Sequence, residues 1–113
     1  MSYRVVQLNI MLHKDIARYI SRNIHVRDAL LSVSFVALKP DNSSADVGIV
    51  CTPMNTTAIT KGLSSLRKHA YTIQKVIATR YNFTKIPILH FMHDDKTDAI
   101  QRIDALIEET KHD

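Results

Sequence analysis

Lys61, Lys68 and Lys75 recur every seven residues, and a helical reading of that spacing sets them in one line. A helix drifts only ~20° per heptad, so the three ammonium groups share a face. Thr57, Ser64 and Thr79 fall between them. Ammonium and hydroxyl groups both bond phosphate oxygens and neither reads a base, so the chemistry on offer is contact with a nucleic-acid backbone. Arg67 and Arg80 flank the line, and Lys85 follows it. A lysine opposite an apolar stripe is ordinarily no more than a solvated helix surface. The setting here is different: the stretch from Val47 to His93 carries six Lys/Arg and no Asp or Glu, whereas a solvated face usually mixes both signs. A second basic line, Lys14, Arg18 and Arg22, has four-residue spacing. It ranks below the first because Asp15 tempers it and can pair with Arg18 three residues on, for about 0.2–0.5 kcal/mol.

Charge is unevenly shared along the 113 residues. The first 46 hold six Lys/Arg against four Asp, and residues 94–113 hold three against seven Asp/Glu, within a net charge of +4. The cations of the middle therefore act without neighbouring acids, which points to an anionic partner.

Other chemistries find less support. Gly48 and Gly62 are the only glycines, too far apart for a phosphate-cradling loop, a dinucleotide fingerprint or a Gly-x-x-Gly clamp. The single cysteine, Cys51, excludes an intrachain disulfide and a multi-thiolate zinc site; its apolar neighbours make it a small buried hydrophobe. Four Tyr, three Phe and no Trp are too scattered for an obvious base-stacking platform. His90 and His93, three apart on a strand, should point to opposite faces and so share no metal. His13, His25, His69 and His112 repeat no ligand spacing, although His69, among cations, could touch RNA. Asp94 and Asp95 read as helix caps, not as a catalytic pair. These residues give no reason to expect an enzyme, a metal or a cofactor.

The elements that would position the lysines follow from periodicity. Val5, Leu8, Leu12, Ile16, Ile20 and Ile24 lie on one face of a first helix. Leu31, Val33, Phe35 and Ala37 alternate with Ser32, Ser34 and Val36 as a strand. Pro40–Ser44 is turn chemistry, and Ala45 to Thr52 returns as the second strand of an antiparallel hairpin. Pro53 ends that strand. Asn55, Thr56 and Thr57 are candidate caps for a central helix, whole or split by a kink, with Ile59, Leu63, Leu66, Ala70, Ile73 and Ile77 on its apolar side. Ile86 to Met92 forms a third strand. A final helix carries Ala99, Ile103, Leu106 and Ile107. Three strands with helices on one face would bury every stripe. One domain over residues 1–113 is expected. The opening Met-Ser-Tyr-Arg runs into an amphipathic segment that lacks the form of a signal peptide, so the reading is cytoplasmic.

This order, with its basic middle and acidic last helix, resembles the ribosome-binding factor A family. The resemblance is carried by Pro87-x-Leu89-x-Phe91-x-x-Asp94-Asp95 and then Arg102-Ile103-Asp104-x-Leu106-Ile107-x-Glu109, with Arg4-Val5-x-Gln7, Lys14-Asp15-Ile16-Ala17 and Ala45-x-Val47 upstream. It spans nearly the whole chain. It implies an α+β, type II KH-like domain without a Gly-x-x-Gly loop, ordered helix-strand-strand-helix-helix-strand with an extra C-terminal helix. It also implies an assembly factor, acting without catalysis or cofactor, that binds free small ribosomal subunits and assists late rRNA maturation, chiefly in the cold. This chain departs from the family at His69-Ala70-Tyr71, where an Ala-x-Gly kink is usual, at Gln74, where arginine is common, and at Ile100, where glycine is frequent.

The expectation is a monomer that contacts rRNA backbone through Lys61, Arg67, Lys68, Lys75, Arg80 and Lys85, with Arg18 and Arg22 in reserve. Neither a membrane nor a small-molecule substrate is expected. The alternatives are a KH-like module with another RNA target and a protein–protein adaptor.

Overall fold

The computed structural model describes residues 3–94. In chain order it has α1 (Tyr3–Asn23), β1 (Leu30–Leu38), β2 (Ser44–Thr52), α2 (Thr56–Tyr81) and β3 (Ile88–His93). The expected last helix, with Asp95, Ala99, Ile103, Leu106 and Ile107, lies outside the described residues. The sheet order is β1-β2-β3. β1 and β2 form the antiparallel hairpin, whereas β2 and β3 run parallel. A parallel pair needs a long crossover, and α2 supplies it.

The helices bury the faces that their spacing dictates. Leu12, Ile16 and Ile20 of α1, and Ile24 just past its end, are 6% exposed or less. They meet Val36, Leu38, Ala45, Val47, Ile49, Leu89 and Phe91 of the sheet and Leu66, Ile73 and Ile77 of α2. Each large apolar side chain buried in this way contributes about 1.5–3 kcal/mol before conformational entropy is charged against it. In its first turns α2 turns Ala58 and Gly62 inward and leaves Ile59 and Leu63 half-buried, one position off the expected stripe. Small residues there let the helix lie close on the sheet: a Cβ on Gly62 would meet Leu31 Cδ2 at 2.7 Å.

β1 departs from the simple alternation. Val33 pairs with Ile49 and Phe35 with Gly48, which leaves Ser34 as an extra residue in a bulge. A bulge shifts every later side chain to the other face. Val36 and Leu38 are consequently the buried residues, and Phe35 crosses to the far face, where its ring occupies the space over Gly48. A Cβ at Gly48 would come within 2.2 Å of that ring.

Both sheet edges are tied to helices. On β1, the Leu38 N–H donates to Asn9 Oδ1 at 2.9 Å, and His13 Nε2 donates to the Val33 carbonyl at 2.9 Å. On β3, the Leu89 N–H donates to Gln74 Oε1 at 3.0 Å. Helix side chains satisfying edge groups close an edge to other strands.

α2 is one uninterrupted 26-residue helix that runs through His69-Ala70-Tyr71, so the two central helices of the expected order are joined. No glycine stands at those three positions to favour a break. Asn55 caps its start, its Oδ1 accepting the Ala58 N–H at 2.8 Å. Asn82 ends it in the left-handed conformation, φ 55° and ψ 41°, which asparagine tolerates. β3 begins directly after the buried Pro87, as a proline at a strand start requires.

Candidate nucleic-acid interface

The core sits on one side of α2, so the opposite side faces solvent. Lys61, Lys68 and Lys75 are all exposed there, with Thr57, Ser64 and Thr79 exposed beside them. Lys75 Nζ lies 5.5 Å from the centroid of the exposed Tyr71 ring. At ~100° per residue, Arg67 and Arg80 fall on opposite flanks of this line. The structure therefore separates these two, although both side chains are exposed. Lys85 lies apart, in the connection to β3, where it lines a hollow with Asp41, Ser43, Phe83 and Thr84. In that hollow Asp41 is held below the usual carboxylate range, chiefly by the Ser43 hydroxyl and also by the Ser43 backbone N–H.

Packing of α1 against α2 brings two arginines of the second basic line to Arg80, on one flank of the first. Arg18 and Arg22 of α1 and Arg80 of α2 line one groove of about 140 Å³, together with Asp15, Tyr19, Asn23 and Val76. Ile16, Ile73 and Ile77 form its apolar floor. Arg22 and Arg80 lie in the last turns of their helices, where a cation is favoured by the helix dipole.

Asp15 is not the local partner of Arg18. Its carboxylate accepts a hydrogen bond from the Tyr81 hydroxyl and pairs with Arg80 Nη1 at 3.3 Å. The half-buried carboxylate sits where α2 closes over α1, so the nearer partners belong to the other helix. Burial, followed by the bond to Asp15, pushes the Tyr81 hydroxyl up to about 12. Arg80 is thus half committed to an internal pair, while its side chain stays 58% exposed. Tyr81 also stacks on Phe83, with centroids 5.9 Å apart, but both rings pack half-buried against the core.

Sequence reasoning assigns no role to Tyr19, Asn23 or Val76. The one signal for them is weak: Tyr19 and Asn23 each adjoin an arginine of the basic line, and Val76 is apolar outside the stripe of α2. Gln74, at the position where arginine is common in the resembled family, is turned to β3 as an edge bond and not to the cationic face. His69 Nδ1 donates to Ser65 O within its own helix at 2.9 Å. His90 is exposed and His93 half-buried. Cys51 is buried, and that burial pushes its thiol up. Among the described residues no three His, Cys, Asp or Glu side chains are placed to hold a metal ion, and no helix is long and apolar enough to cross a membrane.

A hairpin and a parallel third strand backed by helices form a KH-like α+β fold, here without the glycine clamp. The chain belongs to the ribosome-binding factor A family, whose model matches residues 4–107. Ribosome-binding factor A of Malacoplasma penetrans is 31% identical over 80 residues, covering 71% of this chain and 67% of that protein. The crystal structure of ribosome-binding factor A from Thermus thermophilus superposes with a TM-score of 0.65 at 22% identity, over 79% of this chain and 94% of the other. A homology model of the Thermus factor, fitted into a cryo-EM map of its complex with 30S, gives 0.60 at 23% identity, over 76% and 90%. At these identities the structural likeness is one of fold.

Proposed function

We propose that this chain is a maturation factor of the small ribosomal subunit, binding free subunits by laying the outer face of α2 along rRNA backbone. The observation that carries the reading is the acid-free line of exposed Lys61, Lys68 and Lys75 on a member of the ribosome-binding factor A family. The relative fitted into a 30S complex supports the choice of partner.

Lys61, Lys68 and Lys75 are the central contacts. Arg67, Arg80 and Lys85 extend them on the flanks and beyond, and Arg18 and Arg22 join at the groove. Such contacts neutralise roughly four to six phosphates, giving a log-log salt slope of about −3 to −5. Binding of this kind positions without reading sequence, so the work done is to hold rRNA in one conformation during late processing and then leave. The protein acts as a monomer in the cytoplasm, without catalysis or cofactor, and matters most in the cold.

The test is sedimentation of the tagged protein with lysate on a sucrose gradient at low and moderate salt. Co-migration with free small subunits, but not with intact ribosomes, is the expected result. Migration at the top of the gradient in both salts would leave the fold standing and remove the ribosomal role.

A further inference from the structure

The groove between α1 and α2 differs from the lysine face in having a cationic rim and apolar walls. Arg18 and Arg22, one turn apart, stand on one side, and Arg80 on the other. Between them lie buried Ile16, Ile73 and Ile77 and the 47%-exposed Val76. Its one carboxylate, Asp15, is already engaged by Tyr81 and Arg80. Arg18 and Arg22 have no ion pair among the described residues, so their charge is available to an anion from outside. At about 140 Å³ the groove is well below the ~300–1,000 Å³ of small-molecule sites. It is the size of one base and not of a cofactor.

A surface that meets only the phosphates of a duplex has no use for an apolar hollow. An unpaired nucleotide presents both parts at once, a phosphate and a base with two apolar faces and a polar edge. Resting on the RNA-binding reading above, we propose that this groove takes one unpaired nucleotide of an RNA strand. Arg18 and Arg22 hold its flanking phosphates, and the base enters between the walls that Tyr19 and Val76 line. Asn23, which spends one amide N–H on the Tyr19 carbonyl, has its amide oxygen and second N–H for the base edge. An acidic peptide could also satisfy the arginines. RNA is favoured by continuity: Thr72 and Thr79, exposed on the next strip of α2, join the groove to the line of lysines.

The experiment compares an eight-nucleotide single strand of RNA with a strand of equal length and charge that lacks every base. Binding of each to the full chain is followed by fluorescence anisotropy at fixed low salt. The intact strand should bind at least about fivefold tighter, the size of one stacked base, with the salt slopes of the two strands equal. Val76→Met, whose longer side chain occupies the groove without changing charge or adding a ring, should abolish that difference while keeping the affinity for the baseless strand. Equal binding of the two strands to the unaltered protein would overturn this inference alone, and that comparison stands even if Val76→Met fails to fold. Binding of neither strand would overturn the RNA reading and this inference with it. Displacement of the intact strand by a polyglutamate peptide from the unaltered protein, but not from Val76→Met, would make the groove a protein-docking site and overturn it as well.

Discussion

On its inner side α2 carries Leu66, Ile73 and Ile77, each 3% exposed or less, and Gln74 bonded to the edge of β3. On its outer side it carries Lys61, Lys68 and Lys75, with hydroxyls between them and no carboxylate partner among the described residues. Packing accounts for every inner residue. It asks for nothing on the outer side, where a mixture of signs would serve solubility equally well. The side that folding leaves undetermined is the side with a single sign of charge, and it is there that the rRNA contacts are proposed. Changes to the inner side should therefore cost stability and leave binding per folded molecule intact, and changes to the outer side should do the reverse.

Leu66→Ala should break the inner side hardest, lowering unfolding free energy by about 2–5 kcal/mol in a urea titration. Subunit binding by the fraction that stays folded should be unaltered. Gln74→Ala strands the Leu89 N–H and should cost about 1–2 kcal/mol by the same titration, again without weakening binding. A loss of affinity there would mean that the β3 edge takes part in recognition. Asn55→Ala removes the bond to the Ala58 N–H and should lower stability by about 1 kcal/mol, seen as a reduced melting temperature. A pH-dependent effect concerns the Tyr81 hydroxyl, whose pKa rises on folding from 10.0 to about 12. A raised acid is held protonated by the fold, so its stabilising contribution is complete below pH 10 and is lost as pH climbs from about 10 to about 12. Tyr81→Phe should lack that component when urea midpoints are compared across the same range.

The sequence made the outer side of α2 and the buried face of α1 readable because each is a property of one helix. Seven-residue and four-residue spacings translate directly into a face. The bulge at Ser34 was not readable, because one extra residue carries no mark of its own yet moves Phe35 to the far side of the sheet. Ala58 and Gly62 carry too little side chain to mark themselves as core positions, and the close approach of Gly62 to Leu31 shows only in the packed structure. The bond from Tyr81 to Asp15 crosses 66 positions, whereas local spacing points to Arg18. For the same reason the groove, made by two helices far apart in sequence, leaves no local pattern, although spacing alone marks all three of its arginines as candidates.

Whether the outer lysines contact phosphate and serve no structural end is read from the salt dependence of small-subunit binding. The unaltered protein is compared with Lys61→Gln/Lys68→Gln/Lys75→Gln. A log-log slope of about −3 to −5 is expected for the unaltered protein, and a slope shallower by about 2–3 for the triple variant. Its stability should stay within about 1 kcal/mol, the size of the lost Lys75–Tyr71 contact. An unchanged slope, or a melting temperature that falls in step with affinity, would contradict that role for the lysines.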